Sequence, residues 1–151
     1  MVLWLARLTG QAGSSVKGVN YKQEVEVMIN YKDFKDLSAY KFSYELSNLV
    51  WDIVMRWDSF ARNTIGRQFV DATDSISVNI AEGYGRYGKN DKIHFYRYSF
   101  GSLKESMSWM DKSYHRNLLS EDEYQAIKKL IDQLPMEINT LTKYTRDKLL
   151  K

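Results

Sequence analysis

Between Ile93 and Tyr114 the apolar residues Ile93, Tyr96, Phe100, Leu103, Met107, Met110 and Tyr114 recur at alternating steps of three and four. A repeat close to 3.5, sustained over three heptads, keeps one stripe of a helix turned toward its neighbours, and such helices pack at about 20°. Three more segments carry the same signature. From Leu37 to Trp57 the stripe is Ala39, Phe42, Leu46, Leu49, Ile53 and Trp57. Tyr40, Tyr44, Val50, Trp51 and Val54 widen it beyond the roughly 100° a surface helix needs, so a second helix or another subunit must cover the excess. After a cap at Asp58-Ser59, Ile65, Phe69, Ala72, Ile76 and Ile80 predict a helix ending at Gly83. Asn90 or Asp91 is the expected N-cap of the third helix. Ser120 and Glu123 have the spacing of a capping box for the fourth, whose stripe is Tyr124, Ile127, Ile131, Leu134, Ile138 and Leu141. Pro135 lies inside that run and removes the N–H that would bond the Ile131 carbonyl. The apolar phase continues across it, which predicts a bend and not a break. Connections near 58–62, 84–90 and 116–120 are short, and short loops between long amphipathic helices predict an all-α, antiparallel up-down-up-down four-helix bundle.

Composition narrows the function classes. At 151 residues the chain has room for one core. The absence of cysteine excludes disulfides, thiolate zinc sites and Cys nucleophiles, and two histidines leave little for a metal site. No metal or cofactor is expected. A net charge of +3 is too small to mark a polyanion binder by itself, so only local clustering argues for nucleic acid. Residues 1–27 differ from the rest. Val2-Leu3-Trp4-Leu5-Ala6 is broken by Arg7 and followed by Gly10, Gly13 and Gly18, too short for a signal peptide of about 7–15 apolar residues or a span of about 20. A cytoplasmic chain without a membrane role is expected. Purine-rich codons would encode Lys22 to Val27, which suggests Met28 as the native start, with 1–27 as upstream sequence and 28–151 as the helical domain. The other reading of 1–27 is a flexible arm or short strand docking on a neighbouring subunit.

The stretch Ser75-Ile76-Ser77-Val78-Asn79-Ile80-Ala81-Glu82-Gly83-Tyr84-Gly85-Arg86 and the stretch Phe95 to Glu105, with its Gly101-Ser102-Leu103-Lys104-Glu105, resemble the proteins encoded in intervening sequences of bacterial 23S rRNA genes. Phe34-Lys35-Asp36-Leu37 is similar as well, so the resemblance runs from about Phe34 to Lys148. It implies a four-helix protomer assembled into a ring-like homopentamer with no assigned enzymatic activity. The related accessory proteins of diversity-generating retroelements share the fold and are thought to bind nucleic acid and a reverse transcriptase through basic surfaces. Where many members carry paired arginines in the second helix, this chain has Val70 and Asp71. The family-motif residues Ser75, Asn79, Glu82, Gly83, Gly85, Gly101, Ser102 and Glu105 are expected to act in structure or at subunit interfaces.

Residues 84–100 hold the strongest binding signal. Arg86, Lys89, Lys92 and Arg97 face one acid, Asp91, with Tyr84, Tyr87, Tyr96 and Tyr98 between them. Cations pair with phosphates and aromatic faces stack on unpaired bases. Gly83, Gly85 and Gly88 would let an anion approach the start of the third helix. This predicts RNA or single-stranded nucleic acid bound through Arg86, Lys89, Lys92, Arg97, Tyr84 and Tyr87. The competing readings are a solvated loop with a tyrosine-rich subunit interface, or a scaffold for a protein partner. Asn79, Glu82 and, one helix away, Glu105 raise the prospect of paired carboxylates, but neither His94 nor His115 stands in a Glu-x-x-His pair. Hydrogen bonding and helix register are the expected roles, and the chain is read as non-enzymatic. Gly101, Ser99, Ser102 and Ser106 form a small-residue strip that predicts close approach of a neighbouring helix.

Overall fold

The structure, a computed structural model, describes residues 33–148. The proposed boundary at Met28 lies outside the described residues. A 3-10 turn at Phe34–Asp36 leads into α1, Ser38–Val54. α1 stops three residues before Trp57, as the Arg56 N–H bonds the Ile53 carbonyl at 3.1 Å and the Trp57 N–H bonds the Val54 carbonyl at 3.0 Å, tightening the last turn. Asp58 then caps the next helix as the sequence predicts, its Oδ1 accepting from the N–H groups of Phe60 (2.8 Å) and Ala61 (3.0 Å). That helix begins with Ser59–Ala61, passes through a π-helical segment, Arg62–Gly66, and continues as α2, Arg67–Gly85. The π segment adds a residue to one turn and rotates what precedes it by roughly 100°. For this reason Ile65, expected in the core, is only half-buried.

α3 spans Lys89–His115 and α4 spans Glu121–Lys148. Gly88, and neither Asn90 nor Asp91, is the N-cap of α3. At its other end Asn117 adopts a left-handed φ of 58°, and the Leu118 N–H reaches back to the Ser113 carbonyl at 2.9 Å. This is a Schellman stop, with Asn in the place usually taken by Gly. The capping box of α4 forms: Ser120 N–H donates to Glu123 Oε2 at 2.9 Å, and Glu123 N–H donates to Ser120 Oγ at 3.2 Å. α4 runs unbroken through Pro135.

The fold is all-helical, with no strand among the described residues. α1 packs on α2 and α4, and α3 packs on the same two helices. Leu46, Val50 and Ile53 meet Phe69, Ile76 and Ile80, Tyr96 and Leu103, and Ile127, Ile131, Leu134 and Ile138 in one core. On α3 the buried seam alternates Tyr96, Leu103 and Met110 with Ser99, Ser106 and Ser113, each set at intervals of seven. The expected seam residues Phe100 and Met107 flank it half-buried, and Tyr114 is exposed. At Ser99 the reason is the nearness of α2 to α3. Ser99 Oγ donates across to the Ile76 carbonyl at 2.9 Å, and a side chain much larger than serine would not fit between the two backbones. Ser106 Oγ bonds the Ser102 carbonyl of its own turn at 2.8 Å.

Candidate nucleic-acid interface

Gly83, expected to end its helix, is instead a packing glycine within it. A Cβ there would lie 2.7 Å from Tyr96 Cε1, so the aromatic ring seats against the α2 backbone. α2 therefore extends further and ends in open space at Gly85. The 84–92 segment follows, and its cations are largely engaged. Lys92 Nζ donates to the Tyr84 carbonyl at 2.5 Å and lies 5.5 Å above the Tyr84 ring. It thus caps the negative end of α2, and burial holds its pKa below the usual lysine value. Arg86 pairs with Glu82 and covers the Phe95 ring at 4.5 Å. Lys89 Nζ donates to the Arg146 carbonyl at 3.2 Å in the last turns of α4. Tyr84 packs against the core, whereas Tyr87 is fully exposed.

Arg97 differs from the others. It has no ion-pair partner among the described residues and lines an open groove of about 280 Å³ between α3 and α4. Arg146 lines the same groove, likewise without an acidic partner, and Lys143 is exposed one turn before it. The groove floor is Tyr96, whose hydroxyl pKa is pushed up to about 12 by burial, offset by its hydrogen bond with Thr145. Sequence reasoning missed Arg146 together with Asn139 and Thr142. A linear window around 84–100 does not reach them, but their spacing of three and four marks a polar flank on α4.

The family-motif residues do not form a carboxylate site. Glu82 is paired with Arg86, and Glu105 Oε1 accepts from Trp109 Nε1 at 3.2 Å on its own helix. Ser75 Oγ donates to the Asp71 carbonyl at 2.6 Å and Asn79 Nδ2 to the Ser75 carbonyl at 2.7 Å. No group of three or more His, Asp and Glu side chains converges on a metal position among the described residues. The small-residue strip divides: Ser99 and Ser106 are buried, Ser102 is half-buried, and Gly101 is exposed, with nothing within 4 Å of where a Cβ would stand. Gly101 therefore faces no helix among the described residues. His94 stacks on Tyr98 at 5.6 Å. No helix among the described residues is long and apolar enough to cross a membrane.

Among curated proteins, none matches this chain. A solved structure, a protein of unknown function from the S23 ribosomal protein family of Bacteroides thetaiotaomicron VPI-5482, superimposes with a TM-score of 0.62 at 15% identity. The match covers 70% of this chain and 98% of that one, and it shows a shared fold. The 23S rRNA-intervening sequence protein family matches residues 35–140, more than half of the sequence. On that match, this chain belongs to the 23S rRNA-intervening sequence protein family.

Proposed function

We propose that this chain is a non-catalytic, cytoplasmic RNA-binding protein that works as a homo-oligomer. The observation that carries the reading is the group of cations without acidic partners on α3 and the last turns of α4. Arg97, Lys143 and Arg146 form no ion pair among the described residues, and Tyr87, two residues before Lys89, offers an uncovered ring. Such cations bind phosphates, and a bare aromatic ring adds stacking on an unpaired base. Arg86, Lys89 and Lys92 contribute less than their positions in the sequence suggest, because each already holds a partner.

The protomer in this reading is an antiparallel up-down-up-down bundle. The cross-links support it: Ser38 bonds Glu137 while Arg56 pairs with Glu123 at 2.6 Å, so numbers rise along α1 as they fall along α4. Lys89 to Arg146 and Asp111 to Tyr124 (3.2 Å) give the same sense for α3 and α4. A ring of five copies follows the family resemblance, and Tyr44, Trp51, Met55 and Phe60, all exposed, supply apolar surface for it. Those same side chains favour a second reading, a scaffold for a protein partner.

Binding of the full chain to a mixed RNA pool, measured by filter retention, tests the proposal. Affinity should fall by roughly tenfold or more from about 50 to about 200 mM salt. Absence of retention at the lower salt would reject it. A complex of fixed stoichiometry with a protein partner that survives nuclease would favour the scaffold.

A further inference from the structure

The α3–α4 groove contains two guanidiniums and no carboxylate, since Arg97 from α3 and Arg146 from α4 share it with Phe100, Ile138, Asn139 and Thr142. Like charges sharing so small a space repel one another, and an anion between them removes the repulsion and gains two charge-assisted contacts. The other polar groups sort by availability. Thr142 Oγ1 donates to the Ile138 carbonyl at 2.8 Å, so its hydrogen is used, whereas the Asn139 amide has no partner among the described residues and keeps its N–H donors. Lys104 stands on α3 just beyond the groove lining. It lies seven residues beyond Arg97, about 10 Å further along the helix, with its Nζ 5.3 Å above the Phe100 ring and no acidic partner among the described residues. The groove and Lys104 together set cations in a row along α3, and a lengthwise polyanion fits that row better than a single small ion does.

We propose that this groove is a phosphate-binding track for single-stranded RNA. Arg97 and Arg146 hold one phosphodiester between them, the Asn139 amide donates to it, and Lys104 meets the backbone further along. The inference rests on the RNA-binding reading above and names the surface that performs it.

Fluorescence anisotropy with a labelled oligouridylate tests the track, using the full chain and the double variant Arg97→Gln/Arg146→Gln. Both side chains are exposed, so circular dichroism should show an unchanged helical content. The variant should lose at least about tenfold in affinity, as expected for charge-assisted contacts. Two arginines on one phosphate neutralise one contact, so the salt slope should flatten by about 0.7 and not by twice that. Arg97→Lys/Arg146→Lys should recover part of the affinity, since charge returns without the fork geometry. Unchanged affinity in the glutamine variant, with wild type binding, would overturn the track and leave the broader reading standing. No binding by wild type would overturn both. Inorganic phosphate is the second probe: an oligouridylate that binds no tighter than phosphate alone would assign the groove to a free anion and overturn the RNA track.

Discussion

Gly83 and Tyr96 hold α2 and α3 together at contact distance: a Cβ on the glycine would stand 2.7 Å from the ring and 2.9 Å from the Cβ of Phe95. Tyr96 is buried in the core and its ring has nowhere to retreat. This contact brings the two helices close, and Ser99 donates to the Ile76 carbonyl across the same approach.

Gly83→Ala should destabilise the fold by about 1–3 kcal/mol through overpacking, although alanine is the better helix former. Gly101→Ala is the control. It lies within α3 in open space, so the same substitution should stabilise by about 0.5–1 kcal/mol. Urea titration of both variants checks the opposite signs.

Ser99 tests the seam differently. Ser99→Ala loses the bond to the Ile76 carbonyl and should cost about 1 kcal/mol, because that carbonyl has intrahelical bonding as well. Ser99→Leu should cost more, about 1–3 kcal/mol, by forcing α2 and α3 apart. A leucine variant as stable as wild type in thermal melts would show that the helices do not approach so closely.

Tyr96 predicts an alkaline limit. Its folded pKa is pushed up to about 12 by burial, above the ordinary tyrosine value of 10.0. A raised folded pKa gives stability that is complete below the unfolded value and is lost as pH climbs from 10 toward 12. The loss should be on the order of 2 kcal/mol, and Tyr96→Phe should remove it. Denaturant midpoints measured from about pH 9 to about pH 12 read the difference.

At the acid side, Glu123 is held below its ordinary pKa, first by the Ser120 backbone N–H and then, against a burial penalty, by Arg56. Its contribution is present above the unfolded pKa and fades as pH falls through the folded one. Glu123→Gln keeps an acceptor for the Ser120 N–H but should flatten this dependence, while Ser120→Ala should cost about 1 kcal/mol at neutral pH. Unfolding curves at about pH 3 and about pH 7 separate the two effects.

Local signals in the sequence survive folding. Asp58 and the Ser120–Glu123 box work as written because all their atoms lie within four residues, and the apolar phase across Pro135 correctly foretells an unbroken α4. What failed depended on distance between helices. Ser99 is buried beside the half-buried Phe100 because its hydroxyl reaches the Ile76 carbonyl of α2, and Ser106 and Ser113 are buried where hydrophobicity favours Met107 and Tyr114. The π segment at Arg62–Gly66 carries no periodic mark, yet a Cβ on Gly66 would lie 2.6 Å from Val54 Cγ1, so that turn is shaped by the end of α1. The candidate site divides the same way. Counting cations over 84–100 finds Lys92 without the turn that brings the Tyr84 carbonyl under it, finds Lys89 without the distant Arg146 carbonyl, and finds Arg97 without Arg146, far away in sequence but in the same groove.

Light scattering on the full chain during size-exclusion chromatography, with and without RNA at low and moderate salt, tests the central claim most directly. An RNA-binding homo-oligomer predicts a mass well above one protomer that rises with RNA at low salt and returns to its starting value at moderate salt. A mass that RNA leaves unchanged at both salts would contradict the claim.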